Sequence, residues 1–160
     1  MDLLSEISFP YRLMEINNGD VFFALECKEL SSFGSEDNLS GTFEIIYKCN
    51  GMDCHFECDI SIGNIYYFYL ELDTAYDIMF CKNAKAVLSS YNNDRTDLLM
   101  EFDDKCNCTA SGKIKNKSDQ YRSGIEFTMN VGQSDVCDTL VSIDKFLKEM
   151  HRIKGDMDFF

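Results

Sequence analysis

The feature that most constrains this sequence is an alternation of apolar and polar side chains with a period of two residues. The clearest instance is 125–131, where Ile125, Phe127 and Met129 alternate with polar neighbours. This period predicts antiparallel β-strands that have one buried and one solvated face. Similar stretches recur along the chain and predict seven or eight strands, at 11–16, 20–29, 43–49, 54–62, 84–91, 97–103, 106–115 and 121–131.

Several short polar segments predict the connections between these strands. Asn50-Gly51 is the strongest hairpin signal, since both residues readily adopt the positive φ angles of a tight turn. Asn17-Asn18-Gly19 is a second turn-forming cluster. The segment 31–40, rich in Ser, Gly, Asp and Asn, is expected to be a surface loop, and 116–120 is expected to join two strands in a hairpin.

Two segments depart from the two-residue period. Apolar residues at a spacing of three and four predict an amphipathic helix over 134–153, with Ser134 as its N-cap. For 64–79 the spacing favours a helix, although the aromatic run Tyr66–Tyr69 has a preference for strands. We therefore expect one α+β domain over 1–160: a curved, mainly antiparallel sheet of seven or eight strands, a mid-chain helix and a C-terminal amphipathic helix.

The charge balance restricts the partners that this chain can bind. Asp and Glu number 28 against 15 Lys and Arg, which gives a formal net charge of −13. Affinity for nucleic acids and for anionic membranes comes mainly from basic side chains, so both partners are disfavoured. A basic protein is the complementary partner.

The eight cysteines lack the Cys-x-x-Cys spacing that is typical of zinc knuckles and thioredoxin-like sites. Most are expected to be buried core thiols, with no bound cofactor or metal. A zinc site made by Cys49, Cys54, Cys106 and Cys108 is the alternative. Free thiols, and an N-terminus with Asp2 and Glu6 but no basic region, predict a cytoplasmic protein.

Catalytic residues are sparse in the sequence. His55, Glu57 and Asp59 alternate on the polar face of one strand. Such i, i+2 neighbours lie ~6 to 7 Å apart at the backbone, whereas acid–base catalysis needs groups within about 3 Å. A solvated strand face is the favoured interpretation, and we expect no enzymatic activity.

The acidic residues give the most specific prediction of a site. If the strands that carry them are neighbours, their carboxylates form one negative field that attracts a basic partner. The predicted partner-binding residues are Glu57, Asp59, Asp94, Asp97, Glu101 and Asp103.

The order of elements over 64–150 resembles the C-terminal half of WapI-type immunity proteins, which neutralise bacterial polymorphic toxins. The resemblance starts with the Tyr- and Leu-rich segment 65–79 and the strand 84–91. It continues through an acidic-apolar strand at 98–102, a polar hairpin around 113–123 and the strand 125–129, and closes with Gln133-Ser134-Asp135 before the helix 140–150.

This resemblance implies a cytoplasmic inhibitor that binds a toxin domain and blocks its active site without catalysis. Many such toxins are nucleases with basic clefts, which an acidic inhibitor complements. A structural or adaptor module that binds a different partner is the alternative function, and a small enzyme comes third.

Overall fold

The computed structural model describes residues 7–32, 39–78, 84–89, 97–115 and 124–154. Within these ranges the chain forms eight strands and two helices. In chain order they are β1 (Tyr11–Asn17), β2 (Val21–Ser32), β3 (Leu39–Cys49), β4 (Met52–Ser61), α1 (Ile62–Asp77), β5 (Lys85–Ser89), β6 (Asp97–Phe102), β7 (Cys108–Lys115), β8 (Gly124–Val131) and α2 (Gln133–Lys154).

The eight strands are divided equally between two antiparallel sheets. The first sheet has the order β1-β2-β3-β4 and the second has the order β5-β6-β7-β8, so each is a simple meander. Because α1 starts directly after β4, the chain leaves the first sheet through a helix before it starts the second. The predicted α+β class, with eight antiparallel strands and two helices, is confirmed.

The two predicted hairpin turns of the first sheet form. Asn50 and Gly51 have φ angles of 48° and 79°, the pair of positive values that a two-residue hairpin favours. Gly19 has a φ of 93°, and the Asn18 side chain accepts hydrogen bonds from the backbone N–H groups of Asp20 and Val21. These turns fix the registers of β1 against β2 and of β3 against β4.

The mid-chain segment is a helix, as the spacing predicted. α1 starts two residues earlier than expected, because Ser61 acts as its N-cap and accepts a 3.1 Å hydrogen bond from the backbone N–H of Asn64. Its buried face consists of Ile62, Ile65, Phe68, Leu72 and Ala75. Burial of this face outweighs the strand preference of the neighbouring aromatic residues.

The C-terminal helix buries the predicted apolar positions Val136, Leu140, Ile143, Leu147 and Met150. The prediction of Ser134 as the N-cap is wrong, because α2 starts at Gln133 and Ser134 lies inside its first turn. The backbone N–H of Val136 donates a hydrogen bond to the carbonyl of Gly132. Neither α1 nor α2, the two helices in the described ranges, is long and apolar enough to cross a membrane.

One hydrophobic cluster joins both sheets and both helices. Phe127 of β8 lies with its ring centroid 5.3 Å from that of Phe23 and 5.0 Å from that of Tyr47, which belong to the first sheet. Phe146 of α2 stacks on Tyr11 at 5.6 Å and meets Phe43 edge-on at 6.5 Å. Aromatic contacts therefore connect the second sheet and α2 to the inner face of the first sheet.

Some predicted boundaries differ from the structure. Ser31, Ser32, Leu39 and Ser40, expected in a loop, belong to β2 and β3. β7 starts at Cys108 because Cys106 has a φ of 65° in the turn before it. Residues 33–38, the hairpin loop at 116–120 and the ends of two predicted strands at 90–91 and 121–123 lie outside the described ranges.

Candidate binding surfaces

The predicted acidic residues lie on different sheets. Glu57 and Asp59 belong to β4, whose strand neighbour is β3, whereas Asp97 and Glu101 belong to β6, between β5 and β7. The expectation that these carboxylates share one sheet face is therefore wrong, because β4 and β6 are not paired. Asp94 lies outside the described residues.

The outer face of the first sheet carries more acidic than basic side chains. Cross-strand register places Glu26, Glu44 and Glu57 in one row across β2, β3 and β4. Asp59 lies in the next row, opposite Thr42, and its carboxylate accepts a 3.4 Å hydrogen bond from the threonine hydroxyl. The acids of this face are Glu15, Glu26, Glu29, Glu44, Asp53, Glu57 and Asp59, and its Lys and Arg residues are Arg12, Lys28 and Lys48.

Ion pairs neutralise the central part of this face. Glu44 contacts Lys28 Nζ at 2.5 Å and His55 Nδ1 at 2.8 Å, while Arg12 contacts Glu26. The hydrogen bond from Lys28, and to a smaller degree that from His55, lowers the pKa of Glu44. The excess of negative charge is therefore displaced towards β4, where Glu57 is exposed.

The outer face of the second sheet is electrically balanced around the predicted acids. Asp97 pairs in register with Lys113, and Glu101 lies between Lys85 and Thr109. Leu99, half-buried between the two acids along β6, pairs with Val87 of β5. Asp97 and Glu101 thus flank an apolar pair instead of extending the acidic region of the first sheet.

Asp103 lies just beyond β6, where its carboxylate accepts hydrogen bonds within a turn. Its carboxylate accepts hydrogen bonds from the backbone N–H groups of Lys105 and Asn107, both at 2.9 Å, and from Asn107 Nδ2 at 3.1 Å. These bonds, above all that from the Asn107 backbone, lower the pKa of Asp103. The carboxylate therefore stabilises the turn that leads into β7.

His55 does not join Glu57 and Asp59 in a catalytic arrangement. Its two ring nitrogens face Glu44 and Asp53, the latter at 2.9 Å from Nε2. The three alternating residues lie along the outer side of one strand, and the imidazole contacts Glu44 on β3 and Asp53 on its own strand. This arrangement fits the solvated strand face that the sequence favoured.

The cysteines of the alternative zinc site are divided between the sheets. Cys49 and Cys54 lie on β3 and β4, while Cys108 is the first residue of β7 and Cys106 lies in the turn before it. Among the described residues no three His, Cys, Asp or Glu side chains are grouped to hold a metal ion. Burial raises the pKa of Cys108 to about 12, so its thiol is protonated at neutral pH.

A feature that the sequence reasoning missed is an apolar stripe on the solvent side of α1. Tyr67, Leu70 and Ile78 are exposed, and Leu70 and Ile78 line a groove of about 400 Å³ between α1 and the start of β5. The available signal was the presence of apolar residues on two opposite sides of one predicted helix. The three- and four-residue spacing by itself indicates only the buried side.

No protein-family model matches the chain, and no curated protein and no solved structure is significantly similar to it.

Proposed function

We propose that this protein is an immunity-type inhibitor that binds a cognate bacterial toxin domain and occludes its active site, with no catalysis of its own. The observation that carries the proposal is the acid-rich outer face of the first sheet, whose acids outnumber its Lys and Arg residues and include the exposed Glu57. A toxin that acts on nucleic acid needs a basic cleft, which such a face attracts. The resemblance of 64–150 to WapI-type immunity proteins points to the same function.

The predicted acids contribute to this function in different ways. Glu57 and Asp59 lie on β4 of the acid-rich face, so we assign them to the attraction of the partner. Asp97 and Glu101 lie beside lysines, and their proposed contribution is to the polar border of a contact surface. Asp103 and Asp94 remain predictions from the sequence.

The proposed compartment is the cytoplasm, where an immunity protein meets an incoming toxin. The described cysteines are free thiols, as expected in a reducing compartment. Cys27 and Cys108 are also buried, which limits their oxidation.

An adaptor or structural module is the second candidate. The observation that favours it is the exposed apolar stripe of α1, because such a stripe suits any protein partner. The two candidates differ in what the partner does: only an immunity protein must abolish the activity of a toxin.

Genomic neighbourhood and growth rescue test the proposal. A gene for a large protein with a toxin-like C-terminal domain should lie directly upstream, and co-expression with this chain should restore growth to cells that express that domain. Glu57→Lys should slow association with the toxin domain and leave the fold of this chain unchanged. Asp138→Lys, which makes the same charge change at an exposed position of α2, is the matched control. Growth arrest that persists with the wild-type chain at equal expression would refute the proposal.

A further inference from the structure

Helix α1 is apolar on two opposite sides. Ile62, Phe68 and Leu72 are among the residues of its buried side, while Tyr67 and Leu70 keep 48% and 40% of their surface exposed on the other. A surface helix normally has one apolar side and one polar side. α2 follows that rule: its exposed positions over 133–151 are mostly polar or charged, and Val141 is the one large apolar side chain exposed there.

A further exposed apolar side chain lies on β5, the strand that packs against α1. Val87 of β5 is 39% exposed, and its backbone N–H donates a 2.9 Å hydrogen bond to the Glu71 carboxylate of α1. Tyr67, Leu70, Ile78 and Val87, here called the α1–β5 surface, are four of the seven large apolar side chains that are exposed in the described ranges. Such a concentration marks a site for another molecule better than scattered single residues do.

A groove gives the α1–β5 surface a shape that a partner side chain can enter. It measures about 400 Å³ and lies between α1 and the start of β5. Its apolar lining comes from Leu70, Ala75, Ile78 and Ala84, and Glu71, Thr74 and Lys85 complete the lining. An aromatic residue next to an apolar pocket is typical of the few positions that dominate binding energy in protein interfaces.

The charges around the α1–β5 surface specify the kind of partner. α1 contains Glu71, Asp73 and Asp77 and no Lys, Arg or His. On β6, Asp97 and Glu101 flank Leu99, which pairs with Val87; Lys85 and Lys113 offset these two acids. A second copy of a chain with net charge −13 would bring like charges together, whereas a basic surface would be attracted.

We propose that the α1–β5 surface is where the basic toxin domain makes its tightest contact, with an apolar side chain of the toxin domain in the groove. This inference rests on the proposed function and adds the contact surface to it. The acids of the first sheet act at long range on association, and the α1–β5 surface holds the complex once it has formed. The two sets of residues therefore affect different rate constants.

Binding kinetics with the purified toxin domain encoded upstream separate these roles. Tyr67→Ala and Leu70→Ser should each raise the dissociation rate by ~10-fold or more and change the association rate by less than ~3-fold. Glu57→Lys should mainly slow association. Val141→Ser replaces an apolar residue of α2 that is even more exposed, at 65%, and should change neither rate. Thermal unfolding of each variant verifies that these exposed substitutions leave the fold intact.

The possible outcomes test the proposed contact surface and the proposed inhibitor function separately. Suppose that the wild-type chain binds and that the Tyr67 and Leu70 variants dissociate as slowly as wild type. The α1–β5 surface is then not the contact surface, and the proposed inhibitor function is unaffected. If sedimentation shows a wild-type dimer that Tyr67→Ala converts to a monomer, a second copy occupies the surface and the inference is wrong. If the wild-type chain does not bind the toxin domain, the proposed function fails and the surface fails with it.

Discussion

Glu71 of α1 accepts a hydrogen bond from the backbone N–H of Val87 on β5, at 2.9 Å. Two helical turns earlier, Asn64 Nδ2 donates a 3.1 Å bond to the carbonyl oxygen of Ser89 on the same strand. β5 is an edge strand, and the unpaired backbone groups of such strands invite pairing with other chains. Side chains of α1 therefore satisfy part of this edge and fix the helix beside the second sheet.

The Glu71–Val87 bond predicts a measurable stability effect. Glu71→Ala removes the acceptor and should lower the free energy of unfolding by about 1 kcal/mol, because the Val87 N–H then has only water as a partner. Glu71→Gln keeps an acceptor oxygen and should lose less. Urea denaturation of the three proteins measures the difference. Equal stabilities for wild type and the alanine variant would show that the bond contributes nothing.

Gly112 on β7 predicts a steric effect. A Cβ atom there would lie 2.7 Å from the Asp97 carbonyl oxygen and 2.9 Å from Cε1 of Phe127. Gly112→Ala should therefore destabilise the protein by on the order of 1 to 3 kcal/mol, although alanine normally stabilises a strand relative to glycine. Gly132→Ala is the control, since its nearest neighbour would be at 3.5 Å. A Gly112→Ala protein as stable as wild type would contradict this packing.

The cysteines predict a clear order of chemical reactivity. Burial raises the pKa of both Cys27 and Cys108 to about 12, which leaves roughly one thiol in ten thousand ionised at pH 8. Cys137 is exposed on α2. Iodoacetamide followed by peptide mass spectrometry should therefore label Cys137 in the folded protein and label Cys27 and Cys108 only after denaturation. Labelling of Cys108 as fast as Cys137 in native protein would contradict its burial.

The Lys28–Glu44 pair predicts part of the pH dependence of stability. Because the pKa of Glu44 is lowered in the folded state, its contribution is present above the unfolded pKa and is lost as pH falls through the folded pKa. Lys28→Met should raise the pKa of Glu44 and shrink the loss of stability between pH 7 and about pH 3. Lys48→Met removes the same charge elsewhere on this face and should leave Glu44 unchanged. Carboxyl NMR titration and urea denaturation measure the two effects.

Local patterns predicted the strands, turns and buried faces because these depend on neighbouring residues. The alternation at Phe127, Met129 and Val131 specified the buried side of β8, and Asn50-Gly51 specified a hairpin. The division into two sheets was not predictable in this way, since strand order depends on contacts between distant segments. That is why Glu57, Asp59, Asp97 and Glu101 lie on the outer sides of their strands as predicted, while the predicted grouping of the acids on one sheet face is wrong.

Helix packing shows the same limit of local patterns. Phe146 is fully buried between Tyr11 and Phe43. It is not one of the positions whose spacing predicts the apolar side of α2. On α1 the spacing identified the buried side, but exposure of Tyr67 and Leu70 depends on which neighbours reach the opposite side. The sequence alone therefore does not show whether the side of α1 with Tyr67 and Leu70 is buried or exposed.

The most direct test of the proposed function is a titration of the purified upstream-encoded toxin domain with this chain, followed by the toxin's activity on its own substrate. We predict that activity falls to background at one equivalent of the chain, and that raising the salt concentration weakens the inhibition because acidic residues attract the toxin domain. Full toxin activity in the presence of excess folded chain would contradict the account.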